Sequence, residues 1–230
     1  MSQTETDNST LDRILKSAES LFARQGFNGT STRQICSAAG ISIQTLHYHT
    51  GGKRELYNRI LERSVIPVTV MINRHIQQML KQDLAKDSVL NSSLDGLIDE
   101  LFSVLHEHPN FPLLFFRQWL EEDPDLRRVE WESLVPSLRR WVKQVESIID
   151  EDRRLGIDLP LMFVSLSILY WGMFTNKNFI SGLLNMDGDS REYWERLKSH
   201  AKELTARLLG RPGSAFDVGK APKKRKAGNR

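Results

Sequence analysis

Residues 30–50 read TSTRQICSAAGISIQTLHYHT, and this stretch decides the fold of the N-terminal part of the chain. Ser31 followed by Gln34 forms a capping box, which is typical of a helix start. Gly40 can adopt the positive φ that ends this helix in a tight turn, and Ser42 can cap the next helix. The pattern therefore predicts two short helices joined by a tight turn, the arrangement called a helix-turn-helix.

The side chains around Gly40 match what two closely crossing helices need. Cys36 and Ala39 are small enough to let the helices approach each other. Cys36 is also the single cysteine of the chain, which excludes an intramolecular disulfide and any multi-cysteine metal site, so we interpret it as a core residue. Apolar side chains that can lock the two helices together are Ile35, Ile41 and Leu46.

The second of these helices has one outward face. This face carries Ile43, Gln44, His47 and Tyr48 at helical spacing. In helix-turn-helix proteins the second helix enters the major groove of DNA, and a glutamine can both donate to and accept from adenine there. We therefore expect these side chains to face a DNA groove.

The rest of the chain also has helical periodicity, and it contains no alternating, strand-like run. One helix is expected over 9–26, before the quoted stretch, and another begins at Lys53, after it. Longer amphipathic stretches follow at 68–84, 88–108, 112–121, 125–154, 159–180 and 190–209. We predict an all-α fold.

Composition divides the chain into four segments. Basic side chains outnumber acidic ones in residues 9–64, which we call the headpiece, whereas acidic ones prevail in residues 65–210, the body. A basic headpiece on an acidic body is typical of a DNA-binding protein with a second role in the body. Residues 1–8 are expected to form a flexible N-terminus, and residues 211–230 a disordered basic tail.

The span 11–64 resembles the DNA-binding region of the TetR (tetracycline-repressor) family of bacterial transcription regulators. The residues that carry the resemblance lie in register across three helices: 18–22, Gly26-Phe27, 30–35, 38–42, Thr45-Leu46, Lys53 and Glu55-Leu56. The resemblance implies nine or ten helices, a three-helix DNA-binding domain, a homodimer built on the last two long helices, and a ligand pocket in the body.

The resemblance also implies roles for individual residues. Thr32 and Arg33 are expected to meet a phosphate and a base edge, Thr45 and His47 to face the groove, and Lys53 to hold a phosphate at a helix N-terminus. The chain departs from the family's pattern at three of its positions, with His47 in place of the usual tyrosine, Thr50 in place of phenylalanine and Gln44 where a small residue is frequent. Two roles remain possible for the His49 side chain: packing beneath the helix, or contact with a phosphate.

The body supplies the expected homodimer interface. The stretch 159–180 is unusually apolar for an outer helix and, together with 190–209, suits a two-fold helical contact. Its longest apolar run, 159–174, is shorter than the roughly 20 residues that span a bilayer. No basic and apolar signal opens the chain. We therefore expect a cytoplasmic protein without a membrane partner.

All five tryptophans lie in the body. Large aromatic side chains in a helical bundle are either ordinary core or the wall of a ligand pocket, and the resemblance favours the pocket. The candidate lining residues are Phe102, His106, Phe115, Trp119, Tyr170 and Phe174. This set predicts a small apolar or aromatic effector whose identity the sequence leaves open.

Motifs for catalysis, cofactors and metals are missing from the sequence. It contains no GxSxG, P-loop or GxGxxG motif. His106 and His108 lie two residues apart, so they point to different sides of a helix. We therefore predict a dimeric, ligand-responsive transcription regulator without a cofactor, a repressor of a palindromic operator. The alternative is a TetR-like DNA-binding protein whose body binds a protein partner.

Overall fold

A computed structural model describes residues 3–84, 86–120, 124–148 and 158–209. This part of the chain is built of helices without a β-strand, which confirms the predicted all-α fold. The helices are α1 Gln3–Gly29, α2 Thr32–Ala39, α3 Ile43–Thr50, α4 Lys53–Met79, α5 Asp87–Glu107, α6 Asn110–Leu120, α7 Val135–Ile148, α8 Leu159–Thr175, α9 Lys177–Leu184 and α10 Arg191–Leu208. A 3-10 turn at Pro124–Arg127 and a π-helical turn at Glu130–Leu134 precede α7. The predicted basic tail lies outside the described residues.

The core of the headpiece is shared with the body. Phe22 of α1 and Tyr57 of α4 are fully buried, and their rings meet edge to face with centroids 5.0 Å apart. Leu114 of α6 and Leu126 of the 3-10 turn belong to the same buried cluster. Residues of the body thus complete the core of the headpiece, and α6 packs directly against it.

The first helix is longer than the sequence indicated. It begins at Gln3 rather than at residue 9, so residues 3–8 are helical instead of flexible. The carboxylate of Asp7 lies 3.3 Å from the imidazole of His49, which ties the first turns of α1 to the end of α3. Gly26, where a helix end was expected, has φ 74° and kinks the helix, which continues to Gly29.

The fourth helix runs without a break from the headpiece into the body. A helix end was expected near residue 64 and a new helix from residue 68, but Pro67 lies inside α4. Proline removes one backbone hydrogen bond, and the burial of Val65, Val68 and Met71 against the body offsets that loss. The expected boundary between headpiece and body, at residues 64 and 65, therefore lies in the middle of α4. This helix is about 40 Å long at 1.5 Å per residue.

The apolar stretch 159–180 forms two helices rather than one. α8 ends at Thr175, and α9 continues after Asn176 at an angle of 77° to it. Among the described residues no single helix is long and apolar enough to cross a membrane, and only α8 and α9 taken together meet that length and composition.

Candidate nucleic-acid interface and ligand cavity

The predicted helix-turn-helix is present, and local hydrogen bonds define it. The Ser31 hydroxyl accepts from the Gln34 amide at 3.2 Å, and the Gln34 side chain accepts from the Ser31 amide at 2.7 Å. Gly40 has φ 65° and ψ 45°, and the following Ile41 amide donates to the Cys36 carbonyl at 3.0 Å. The left-handed turn directs the chain into α3, which is capped by Ser42.

The outward face of α3 carries the side chains expected to meet a groove. Ile43, Gln44 and His47 are exposed, and Tyr48 has 80% of its surface exposed. Leu46, on the opposite side of the helix, is fully buried. α3 is therefore anchored from beneath and presents an accessible polar and aromatic surface.

The remaining candidate contacts flank α3. Arg33 is exposed and Thr32 half-buried in the first turn of α2, where free backbone N–H groups favour anions. Thr45 is half-buried, and its hydroxyl lies 2.8 Å from that of Ser42. Lys53 is the first residue of α4, with its ammonium 4.1 Å from the Phe27 ring centroid. The cation–π contact holds Lys53 at a helix N-terminus, which suits a phosphate.

His49 lies apart from the outward face. Its side chain is only 9% exposed and faces Asp7 of α1, while its carbonyl accepts from Arg59 of α4 at 3.1 Å. Thr50 is buried too, and its hydroxyl donates to the Leu46 carbonyl at 2.8 Å. Of the two interpretations of His49, its low exposure and its contact with α1 favour packing.

The body contains a cavity of about 470 Å³ enclosed by α4, α5, α6, α7 and α8. Two of the predicted residues, Trp119 and Tyr170, line it. The other principal lining residues are Val65, Val68, Thr69, Met71, Ile72, Leu101, Phe111, Leu134, Leu138, Trp141, Phe163, Ser167 and Trp171. The sequence analysis did not select Trp141 of α7 or Trp171 of α8 as lining residues. The apolar face that α4 carries beyond Pro67 was a signal that this part of the helix is covered by other helices of the body.

Four predicted lining residues lie outside this cavity. Phe115 is fully buried between Phe111 and Trp171, with ring centroids 4.8 and 5.4 Å away. Phe102 and Phe174 pack against each other at 5.2 Å, and His106 meets the edge of Trp194 at 5.6 Å. Phe102 and Phe115 are buried in the core, whereas Phe174 is half-buried and His106 is exposed, so none of the four lines this cavity.

The hydroxyl groups in the cavity wall are bonded within the protein. The hydroxyls of Thr69 and Ser167 donate to backbone carbonyls of their own helices at 3.0 and 2.8 Å. The Thr205 hydroxyl donates to the Ala201 carbonyl, so its oxygen accepts from Tyr170. Burial raises the pKa of Tyr170, which keeps its phenol neutral. The wall is therefore largely apolar, with Glu130 as the one carboxylate among its described lining residues.

α4 connects the cavity to the headpiece. Its N-terminal residue is Lys53, and the wall of the cavity includes Val65, Val68 and Ile72 from the same helix. Directly after Ile72, the Asn73 side chain accepts a hydrogen bond from the Trp141 indole at 2.6 Å. The helix that begins at Lys53 thus also forms part of the cavity wall.

These observations define a class of protein: a helix-turn-helix protein whose helical body encloses an apolar cavity. The sequence profile described as "Bacterial regulatory proteins, tetR family" matches residues 14–60. The "Probable HTH-type transcriptional regulator YttP" of Bacillus subtilis (strain 168) is 23% identical over 198 residues, which cover 83% of this chain and 91% of YttP.

A second relative is the "Biofilm operon icaADBC HTH-type negative transcriptional regulator IcaR" of Staphylococcus epidermidis. It is 29% identical over 96 residues, 42% of this chain and 45% of IcaR. Among solved structures, the TetR family transcriptional regulator PfmR of Thermus thermophilus superimposes with a TM-score of 0.61 at 18% identity, covering 88% of this chain and 97% of PfmR. Residues 14–60 thus resemble the DNA-binding region of the TetR family of bacterial transcription regulators, and the fold of the described residues is similar to that of a solved TetR-family structure.

Proposed function

We propose that this regulator is a homodimeric repressor that binds a palindromic operator and is released by a small apolar or aromatic effector. The observation that carries the proposal is the continuity of α4, which begins at Lys53 beside the recognition helix and forms one wall of the cavity. A dimer reads two half-sites at a fixed separation. An effector that displaces α4 changes that separation and weakens both half-site contacts.

The DNA contacts are assigned from exposure and position. Ile43, Gln44, His47 and Tyr48 would face the major groove, with Gln44 as the candidate for direct base readout. Thr32, Arg33, Thr45 and Lys53 surround this face. They would contact the DNA phosphates and so position α3 on the duplex. His49 is left out of this set because its ring is enclosed.

The effector is assigned to the cavity because of its size and chemistry. About 470 Å³ lies within the range of small-molecule sites. Since the hydroxyls in the wall are bonded within the protein, an effector would gain affinity from burying apolar surface. A coupling of about 1–3 kcal/mol between effector and operator would change occupancy 5- to 150-fold.

The dimer is assigned mainly to α8 and α9. Leu161 and Ile168 of α8 and Phe179 and Leu183 of α9 are exposed apolar side chains. α10, which the sequence also favoured, exposes mostly charged residues and contributes Leu208 near its end. An uncharged helix surface that contacts its own copy is typical of a two-fold interface.

Selection of genomic fragments bound by the full-length protein tests the proposal. A pseudo-palindromic site should emerge, with an affinity that falls steeply as salt rises. Small apolar compounds are then screened by quenching of the cavity tryptophans and tested for release of that site. A compound that saturates the cavity and leaves operator affinity unchanged rules out the effector role and favours a protein partner. The proposed location is the bacterial cytoplasm, on the nucleoid when DNA is bound.

A further inference from the structure

The last turn of α3 is held by two other helices of the headpiece. The Asp7 carboxylate of α1 lies 3.3 Å from Nε2 of His49, whose side chain is almost fully enclosed. The His49 carbonyl accepts a hydrogen bond from the Arg59 guanidinium of α4 at 3.1 Å. Asp7 lies in the part of α1 that precedes residues 14–60, the range that the family profile matches. The start of α1 therefore supports the end of α3.

The His49 ring in turn contacts an exposed neighbour. The rings of Tyr48 and His49 meet edge to face, with centroids 5.1 Å apart and planes at 83° to each other. Aromatic rings attract each other in this geometry. Tyr48 has 80% of its surface exposed, so the packing of the headpiece core does not fix its orientation. The His49 ring, which Asp7 holds, therefore favours one orientation of the Tyr48 side chain.

The orientation of Tyr48 matters because this side chain lies on the face of α3 that is proposed to meet the major groove. An exposed side chain that rotates freely loses this freedom when it binds, and the loss weakens the complex. A side chain that is already held in its bound orientation avoids most of that loss. Support of Tyr48 by His49 should thus strengthen binding without any further contact to DNA.

We propose that Asp7 is a positioning residue for operator binding, which acts through His49 to hold Tyr48 in the orientation that meets DNA. This inference rests on the proposed DNA contact of Tyr48. It differs in sign from what charge alone predicts. A carboxylate close to DNA repels the phosphates, so its removal would ordinarily strengthen binding. Removal of the Asp7 carboxylate should instead weaken operator binding.

The test compares two alanine substitutions that remove the same charge from α1. Asp7→Ala removes the contact with His49. The matched control, Asp12→Ala, removes a contact of 3.6 Å with Arg63 of α4, in which α3 has no part. Both aspartates are exposed, so both variants should fold. Circular dichroism and urea unfolding verify the fold, and sedimentation verifies that the oligomeric state is unchanged.

The probe is a fluorescein-labelled duplex of the operator that the wild-type protein selects from genomic fragments. Its binding to the full-length proteins is titrated by fluorescence anisotropy at one salt concentration. Asp12→Ala should bind at least as tightly as the wild type. Asp7→Ala should bind roughly fivefold more weakly, because an exposed ion pair contributes little in one subunit but a dimer carries it twice.

A double-mutant cycle distinguishes positioning of Tyr48 from a general effect on the headpiece. Tyr48→Ala removes the side chain on which Asp7 is proposed to act. In the Tyr48→Ala background, Asp7→Ala should therefore cause no further loss of operator affinity. If Asp7 only stabilised the headpiece, the two losses would add, as they do for independent sites.

Two results would overturn the inference alone. The first is an Asp7→Ala protein that binds the operator as tightly as Asp12→Ala, and the second is a loss from Asp7→Ala that persists in full in the Tyr48→Ala background. Wild-type affinity of Tyr48→Ala would instead overturn the proposed DNA contact of Tyr48, and the inference with it. A wild-type protein that selects no operator would contradict the proposed function itself.

Discussion

The indole nitrogen of Trp141 on α7 donates a hydrogen bond to the Asn73 side chain on α4, with 2.6 Å between the two atoms. Trp141 is 1% exposed and lines the cavity, and Asn73 follows the cavity residue Ile72. The next two residues, Arg74 and His75, both pair with Glu100 of α5. α4 is thus held to two helices of the body immediately beyond the cavity, and Trp141 is the part of this attachment that a ligand can touch.

The first prediction concerns this bond. Trp141→Phe keeps an aromatic wall but removes the donor, so the effector should still bind while α4 no longer follows its entry. We expect the effector-induced loss of operator affinity to shrink roughly fivefold or more. Trp119→Phe, an equivalent change in the α6 wall of the same cavity, serves as the control and should retain the release. Operator titrations with and without effector measure the difference; equal release in both variants contradicts the coupling.

The second prediction separates base readout from phosphate contact. Gln44→Ala should relax the preference at one base position and cost about 1–3 kcal/mol at the preferred operator. Lys53→Ala should weaken all sequences alike and reduce the salt dependence, because a phosphate contact is lost. Selection of bound sequences and titrations at several salt concentrations distinguish the two. Unchanged affinity and preference in both variants would show that α3 docks differently.

The headpiece could be predicted in detail because its signals are local. The capping box at Ser31 and the turn at Gly40 involve residues a few positions apart, so sequence spacing alone indicates them. His49 was harder, because its environment depends on Asp7, which lies far away in the chain. Local signals predict a turn, whereas the burial of a side chain depends on the tertiary contact.

The body could be predicted less well for the same reason. Pro67 favours a helix end locally, and only the packing of α4 against the body keeps the helix continuous. Aromatic residues at helical spacing look alike in a core and in a cavity wall. Phe115 is buried in the core, whereas Trp119 lines the cavity, although the two residues lie one turn apart on α6. The rotation of each helix against its neighbours decides between them.

The third prediction concerns the turn between α2 and α3. Gly40 has φ 65°, and a Cβ there would meet no atom within 4 Å, so any cost of substitution comes from the backbone. Gly40→Ala should lower the free energy of unfolding by about 1–2 kcal/mol, and Gly40→Asn by less, because asparagine tolerates the left-handed region. Urea unfolding of the two variants checks the order. Equal stability of wild type and Gly40→Ala would be incompatible with the left-handed turn.

The last prediction concerns pH and the contact between α4 and α5. Burial, followed by the positive charge of Arg74, lowers the pKa of His75 below its ordinary value of 6.5. His75 is therefore neutral at pH 7 and donates to Glu100 at 2.5 Å, and Glu100 is already paired with Arg74. The unfolded chain binds a proton at this histidine at a higher pH than the folded protein does, so the free energy of unfolding should fall as pH drops below about 6.5.

His75→Gln can still donate to Glu100 but does not titrate, so it should remove this part of the pH dependence. Comparison of urea unfolding at pH 7.5 and 5.5 for the wild type and the variant isolates the contribution. His108→Gln is the control, because His108 is an exposed histidine at the end of α5. The wild type and His108→Gln should lose more stability on acidification than His75→Gln. If all three proteins lost the same amount, His75 would titrate alike in the folded and unfolded states, and the burial that lowers its pKa would have no energetic effect.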